Sequence, residues 1–350
     1  MTTSPLAFST WLACISDPPL PRRITACVSV QCSAHAAEPG PFHHHGLVDD
    51  DDGLALALDV GGTTIKAELV DRAGTVVASE QRPTPQGHRA RDAVAEVGRT
   101  LLAQRPDAPV VGAGVVVPGL VDREAGIATY SANLGWRHLE LVRSLGAEWR
   151  LPVRVANDVA SGGVAEHRLG AGVGTEDLVF VPIGTGIAAS IVSGGHLVTG
   201  HRGETAEIGH LAVRTGVRCA CGRDGCLEAI ASAAAIARRY AGLSGCHVTG
   251  AHDVAARLST DAVARQVWHD AVEALADALG IVSLLVGPAL VVIGGGLSRA
   301  GEGLLDPLRV ALRQRTPVVH PADVTVSALG DRGGVIGAAL LARDGWAPES

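Results

Sequence analysis

Positive charge is in deficit here. Lys and Arg number 29 against 36 Asp and Glu, a formal net charge of −7. A nucleic-acid surface usually needs a basic face, so no nucleic-acid partner is expected. Long apolar runs are also missing, because charge or Gly-Pro interrupts each one before it reaches membrane-spanning length. No membrane partner is expected either. The seven cysteines are an odd count that offers no even disulfide framework. Two common phosphate signatures are absent as well. There is no G-x-x-x-x-G-K-[ST] loop, and no G-x-G-x-x-G follows the first strand.

What is present is a chain of 350 residues, long enough for two domains with real cores. Its 44 glycines and its Val- and Ala-rich runs suit buried parallel strands joined by tight turns. Residues 1–53 differ from the rest. They hold Arg22-Arg23, the tract His43–His45, the run Asp49–Asp52 and Cys14, Cys27 and Cys32, without periodicity. This segment reads as a disordered leader or a start called too far upstream; a signal peptide fits poorly, because the arginines follow the apolar patch.

From Leu54 the pattern changes. Strands are expected at 54–60, 66–70, 75–81, 110–117 and 153–156, with helices at 89–104 and 138–149. A second unit repeats the theme. Strands are expected at 178–183, 188–192, 196–199, 289–293 and 324–328. Helices are expected at 229–240, 251–258, 261–286 and 334–343. The two halves echo each other in architecture without a close sequence repeat.

Three glycine turns each follow an apolar strand: Gly61-Gly62-Thr63, Gly184-Thr185-Gly186 and Gly294-Gly295-Gly296. Glycine lets backbone amides approach an anion, and Thr hydroxyls add donors. One such turn means little; three in this order, the first preceded by Asp59, are far more specific. The most informative stretch is Glu207-Ile208-Gly209-His210, then Cys219-Ala220-Cys221, then Cys226-Leu227-Glu228. One histidine and three cysteines at this spacing suit a single tetrahedral Zn²⁺. Four protein ligands leave no open position for water, so the metal reads as structural. CxC beside histidine also points to a reducing, cytoplasmic compartment.

The order Asp-x-Gly-Gly-Thr, Asn-Asp, Gly-Thr-Gly, His-Cys-Cys-Cys and Gly-Gly-Gly resembles the ROK family of sugar kinases and sugar-responsive repressors. With Asn133-Leu134-Gly135-Trp136, the resemblance runs from about Leu54 to about Arg343. It implies an α/β, actin-like ATPase (ribonuclease-H-like) fold: two α/β domains around a central cleft, with a structural zinc site. The expected division is 54–157 plus 328–345 for the smaller domain and 158–327 for the larger.

It also implies roles. Asp158 looks like the general base for phosphoryl transfer from ATP to a sugar hydroxyl; read from the residues alone, it is equally a helix N-cap. Asn133, Asn157, Asp158, Glu207, His210 and Glu228 are the sugar-binding candidates. His210, Cys219, Cys221 and Cys226 are the zinc ligands, with one ring nitrogen of His210 left for the sugar. Asp59 is oriented toward Mg²⁺. Gly61, Gly62, Thr63, Thr64 and Lys66, then Gly184, Thr185 and Gly186, face the phosphates. Gly294, Gly295 and Gly296 flank the adenine. The chain departs from the family where lysine often follows Gly-Gly-Thr: here Thr64 comes first and Lys66 later. Gly287-Pro288 stands where Asn-Pro is common.

The resemblance favours glucokinase. Fructose, mannose, N-acetylmannosamine and N-acetylglucosamine remain alternative substrates, and polyphosphate an alternative donor. A sugar-sensing repressor would need a helix-turn-helix domain, for which residues 1–53 are too short and too Pro-rich. A homodimer or homotetramer is expected.

Overall fold

The computed structural model describes residues 53–346. The leader, with its histidine tract, aspartate run and three cysteines, lies outside the described residues.

The first half runs β1 (Leu54–Val60), β2 (Thr64–Val70), β3 (Val76–Pro83), α1 (His88–Ala103), β4 (Val110–Val117), β5 (Leu120–Asp122), β6 (Ile127–Ser131), β7 (Trp136–Glu140), α2 (Leu141–Trp149), β8 (Val153–Asn157) and α3 (Asp158–Leu169). The second runs β9 (Leu178–Pro182), β10 (Ser190–Ser193), β11 (His196–Leu197), α4 (Leu227–Ala231), α5 (Ala233–Ser244), α6 (Ala251–Ala255), α7 (Ala262–Val286), β12 (Leu290–Gly294), α8 (Glu302–Arg315), β13 (Asp323–Val326) and α9 (Gly333–Asp344).

The sequence echo becomes a topological repeat. One sheet has the order β3-β2-β1-β4-β8 and the other β11-β10-β9-β12-β13. In each, the first strand is antiparallel to the second and parallel to the fourth, which in turn is parallel to the fifth. The first sheet has its own core, with Leu56, Leu58, Val115, Val155 and Leu101 buried together. The second has another, built on Val179, Val181, Val291 and Ile293 with the apolar face of α7.

The chain crosses between the sheets twice, from β8 into α3 and from β13 into α9. Helix α3 lies on β9 and β10, α9 lies on β1 and β4, and the two helices pack on each other. Small residues permit that approach. A Cβ on Gly337 would stand 2.3 Å from the Ser161 carbonyl oxygen, and one on Gly114 would stand 2.0 Å from that of Ala338.

Three expectations need correction. Residues 138–140 are strand rather than helix, because β7 completes a small antiparallel sheet with β5 and β6. The expected helix 229–240 is two helices, broken at Ser232, whose hydroxyl caps the second by accepting from the Ala235 amide. Helix α8 lies in a stretch where no element is expected, and it carries Pro307 in its interior. Pro307 cannot donate to the Gly303 carbonyl one turn back. The Trp268 indole N–H donates to that carbonyl instead, at 3.1 Å, so the helix passes through the proline intact.

Candidate active site

An open cleft of about 1390 Å³ is lined from both halves, by Asn133, Asn157, Asp158, Gly184, Gly186, Glu207, His210, Glu228 and Gly295 among others. Each wall has a local cause. The Asn133 loop is braced from behind: Leu134 is buried, Gly135 takes φ +69°, and the Trp136 indole donates to the Gly87 carbonyl at 3.0 Å. Gly62 of the first glycine turn lies against Asn133, 3.2 Å from a Cβ built on the glycine to the Cβ of Asn133. That turn is closed by Gly61 N–H to the Thr64 carbonyl and by the Thr84 hydroxyl to the Gly61 carbonyl.

The Asn157-Asp158 pair divides its work. Asn157 is the N-cap of α3. Its Oδ1 accepts from the Val159 and Ala160 amides at 2.9 and 3.0 Å, and its Nδ2 donates to the Gly119 carbonyl at 2.8 Å. The capping alternative for Asp158 therefore falls to its neighbour. Asp158 accepts from the Val159 amide through Oδ1 at 2.9 Å and lines the cleft. Burial raises its pKa, backbone hydrogen bonds oppose this, and Glu207 adds to the rise.

Glu207, His210 and Glu228 meet across the turn Ile208–His210. Only glycine fits at 209, where a Cβ would stand 2.0 Å from the Ile187 carbonyl oxygen. Burial raises the Glu207 pKa; His210 opposes the rise, while Glu228 and Glu204 support it. Glu228 does more than face the cleft, since its Oε2 accepts from the Ile187 amide at 2.9 Å and so anchors the second glycine turn.

Behind this wall the ligand atoms of His210, Cys219, Cys221 and Cys226 all lie within 4.8 Å of one another. Cys219 Sγ is 3.9 Å from His210 Nδ1, and Cys221 Sγ is 3.6 Å from Cys226 Sγ. A zinc tetrahedron with bonds of ~2.3 Å has edges of about 3.8 Å, so the donor set fits the metal in number, type and spacing. Burial and the neighbouring thiols push Cys226 up to about 12; a thiolate here needs a cation. With Nδ1 turned to the sulfurs, Nε2 is left for the cleft. Gly225, at φ +81°, closes the loop where a Cβ would overlap the Arg214 carbonyl.

The other candidates are more dispersed. Asp59 is pushed up to about 6, first by burial and then by Asp158, with Lys66 opposing. It lies against the start of α9, 2.4 Å from where a Gly334 Cβ would be. The Lys66 ammonium donates to the Asp331 carbonyl at 2.9 Å. Thr63, Thr64 and Thr185 are not on the cleft wall. Of the third glycine run only Gly295 lines the cleft. Gly294 packs on Phe180, and Gly296 opens into a separate cavity of about 400 Å³ with Ala251, His252, Trp268 and Arg299. Sequence reasoning missed the wall formed by Leu120, Tyr130, Ser131 and Ala132. The Pro118-Gly119 turn that follows the strand 110–117 is the one sequence signal for this wall.

Asp59 carries a prediction about stability. Its folded pKa is above the ordinary value of 3.8, so above pH 6 the native state holds a charge that burial penalises. That penalty fades as pH falls from 6 toward 3.8 and is absent below. Asp59→Asn is therefore expected to raise the melting temperature at pH 8 and to leave it unchanged near pH 4. Equal shifts at both pH values, in melts across that range, would contradict the assignment.

The sequence profile of the ROK family matches residues 55–345. The chain belongs to the ROK family. It is 33% identical over 309 residues to a glucokinase of Thermotoga maritima, covering 83% of this chain and 97% of that one. It is also 33% identical over 295 residues to an N-acetylmannosamine kinase of Shigella boydii, covering 82% and 98%. A ROK glucokinase of Streptomyces griseus, crystallised with glucose and AMPPNP, superposes with a TM-score of 0.71 at 31% identity, covering 83% and 99%. The paired sheets are thus the actin-like ROK fold, and the His-Cys-Cys-Cys cluster is consistent with the zinc site of that family. Among the described residues no helix is long and apolar enough to cross a membrane.

Proposed function

We propose that this ROK sugar kinase transfers the γ-phosphoryl group of ATP to the 6-hydroxyl of glucose, with Asp158 as general base. The observation that carries this reading is the placement of Asp158 in one cleft wall with Asn133, Glu207, His210 and Glu228. These side chains supply directional donors and acceptors for vicinal hydroxyls, and the carboxylate of Asp158 takes the proton of the attacking hydroxyl. Proton removal and in-line attack on phosphorus proceed together; ADP is the leaving group. Mg²⁺ neutralises phosphate charge when bound, and Asp59 is the carboxylate of this chain suited to hold it. Zinc in the cysteine cluster would be structural, fixing the loop that carries Glu207 and His210. The glycine turns at 61–62 and 184–186 take the phosphates, and Gly295 with the cavity at Gly296 takes the adenine. The lobes 54–157 with 328–345 and 158–327 close on the pair of substrates.

Glucose is placed ahead of N-acetylmannosamine because relatives named glucokinase include the one crystallised with glucose. The test is ADP release from ATP and Mg²⁺ over a panel of hexoses and N-acetylhexosamines, repeated with polyphosphate as donor. The highest kcat/KM is expected on glucose with ATP. A preference for an N-acetylhexosamine would reassign the substrate, and sugar binding without turnover on any donor would point to a sensor.

A further inference from the structure

The second crossing between the sheets is held by a carboxylate that the proposed chemistry does not use. Glu166 is 1% exposed and lies on α3 about two turns beyond Asp158. Its Oε1 accepts from the Ser327 hydroxyl at 2.5 Å and the Leu329 amide at 3.0 Å. Its Oε2 accepts from the Ala171 amide at 2.9 Å and the Ala328 amide at 3.2 Å. All four donors are neutral, and three belong to the segment joining β13 to α9. The Ser327 hydroxyl extends the network by accepting from the Gly330 amide at 2.8 Å. Glycine at 170 makes room for it, since a Cβ there would stand 2.3 Å from Oε2.

A fully buried carboxylate is costly unless its oxygens are satisfied, and an apolar residue would hold a loop at less risk. What the carboxylate adds is direction. The segment it grips continues into Asp331, whose carbonyl receives Lys66, and into Gly334, against which Asp59 lies. The Ser161 hydroxyl of α3 donates to the Gly334 carbonyl at 2.9 Å, a second tie on the same path. One helix therefore carries Asp158 at its start and, two turns on, fixes the crossing that positions the phosphate-side residues.

We infer that Glu166 is a positioning residue, which sets Asp158 against Asp59 and Lys66 by clamping the 327–329 crossing to α3. The inference rests on the kinase reading above. Glu166→Gln turns one acceptor into an amide that faces N–H groups, so the clamp loosens while the side chain still fills its space. A misplacement of the order of 1 Å can cost ~10²-fold in rate.

The test measures steady-state kinetics and hydrogen exchange of Glu166→Gln beside the wild type, with sugar-binding stoichiometry to count folded sites. The expected result is kcat lower by ~10²-fold per folded site, with sugar KM within about threefold because the sugar contacts are untouched. Exchange should quicken at Ala328 and Leu329 and onward into Gly333 and Gly334. Ser327→Ala removes one donor to Glu166 and the acceptor of the Gly330 amide while leaving every side chain of α3 in place, and should shift kcat the same way by roughly tenfold; it stands in should the Gln variant fail to fold. Unchanged kcat, or a KM that rises in step with the loss, overturns the inference. If the wild type phosphorylates no sugar, the kinase reading fails by itself and exchange decides. Loosening confined to 327–329 then overturns the clamp, and spread into the first turn of α9 upholds it.

Discussion

Asp158→Asn is expected to lower kcat by about 10²–10⁴-fold, the range for loss of a general base, while glucose still binds. The geometry separates these effects. Asn keeps an Oδ1, so the bond from the Val159 amide survives. The cap of α3 is untouched because Asn157 provides it. Asn133, Glu207, His210 and Glu228 stay in the wall. What disappears is the carboxylate assigned to accept the proton. The pH profile gives an independent check. Burial raises the pKa of Asp158, and a base acts only when deprotonated, so wild-type kcat should fall as pH drops through a value above the ordinary carboxylate range. The Asn variant should lack that acid limb. Calorimetric titration with glucose and kcat measured from pH 5 to 9 cover both points. Near-normal turnover in the variant removes Asp158 from the base role.

Much of this site was legible before any coordinates because its residues are close in sequence or marked by unusual types. Glu207 to Glu228 spans one loop, and three cysteines with a histidine seldom mean anything but metal. The glycine turns were legible for a similar reason: each ends a buried strand, and its backbone must bend sharply. What could not be read depends on pairing between distant segments. β7 exists only because residues 127–131 offer it an edge; in isolation His138–Trp149 has helical spacing throughout. α8 survives its proline only because Trp268, far off in sequence, satisfies the orphaned Gly303 carbonyl. The Glu166 network is of the same kind, since Ser327 lies 161 residues away. The double duty of Glu228, on the cleft and on the Ile187 amide, likewise needed the fold.

Zinc removal is expected to cost roughly 10²-fold or more in glucose affinity and to spare most of the fold. Ile208 and Leu227, at the two ends of the loop that bears the ligands, are anchored in the large core, while Cys219, Cys226 and Ala229 form a small cluster of their own, with Val217 against it. Between those ends the loop is held by the bridges Ala212 to Cys226 and Arg218 to Asp224, by the ion pair of Arg214 with Asp277 and by backbone bonds. Without the metal, Cys226 remains a buried thiol, and the ring of His210 and the side chain of Glu207 lose the ligand set that orients them. A hydrogen bond to a charged group contributes about 1.5–3 kcal/mol, so losing two amounts to at least ~3 kcal/mol, or about 10²-fold. The large core on β9, β12 and α7 does not run through the cysteines, so far-ultraviolet dichroism should change little. The measurement is glucose titration of protein stripped by a strong chelator, then restored with Zn²⁺. Cys226→Ser should reproduce the stripped state and resist restoration. If stripped protein binds glucose as tightly as the zinc form, Glu207 and His210 are held by the Ile208–His210 turn alone. The fit of Gly209 against Ile187 would then be the feature that shapes the sugar site.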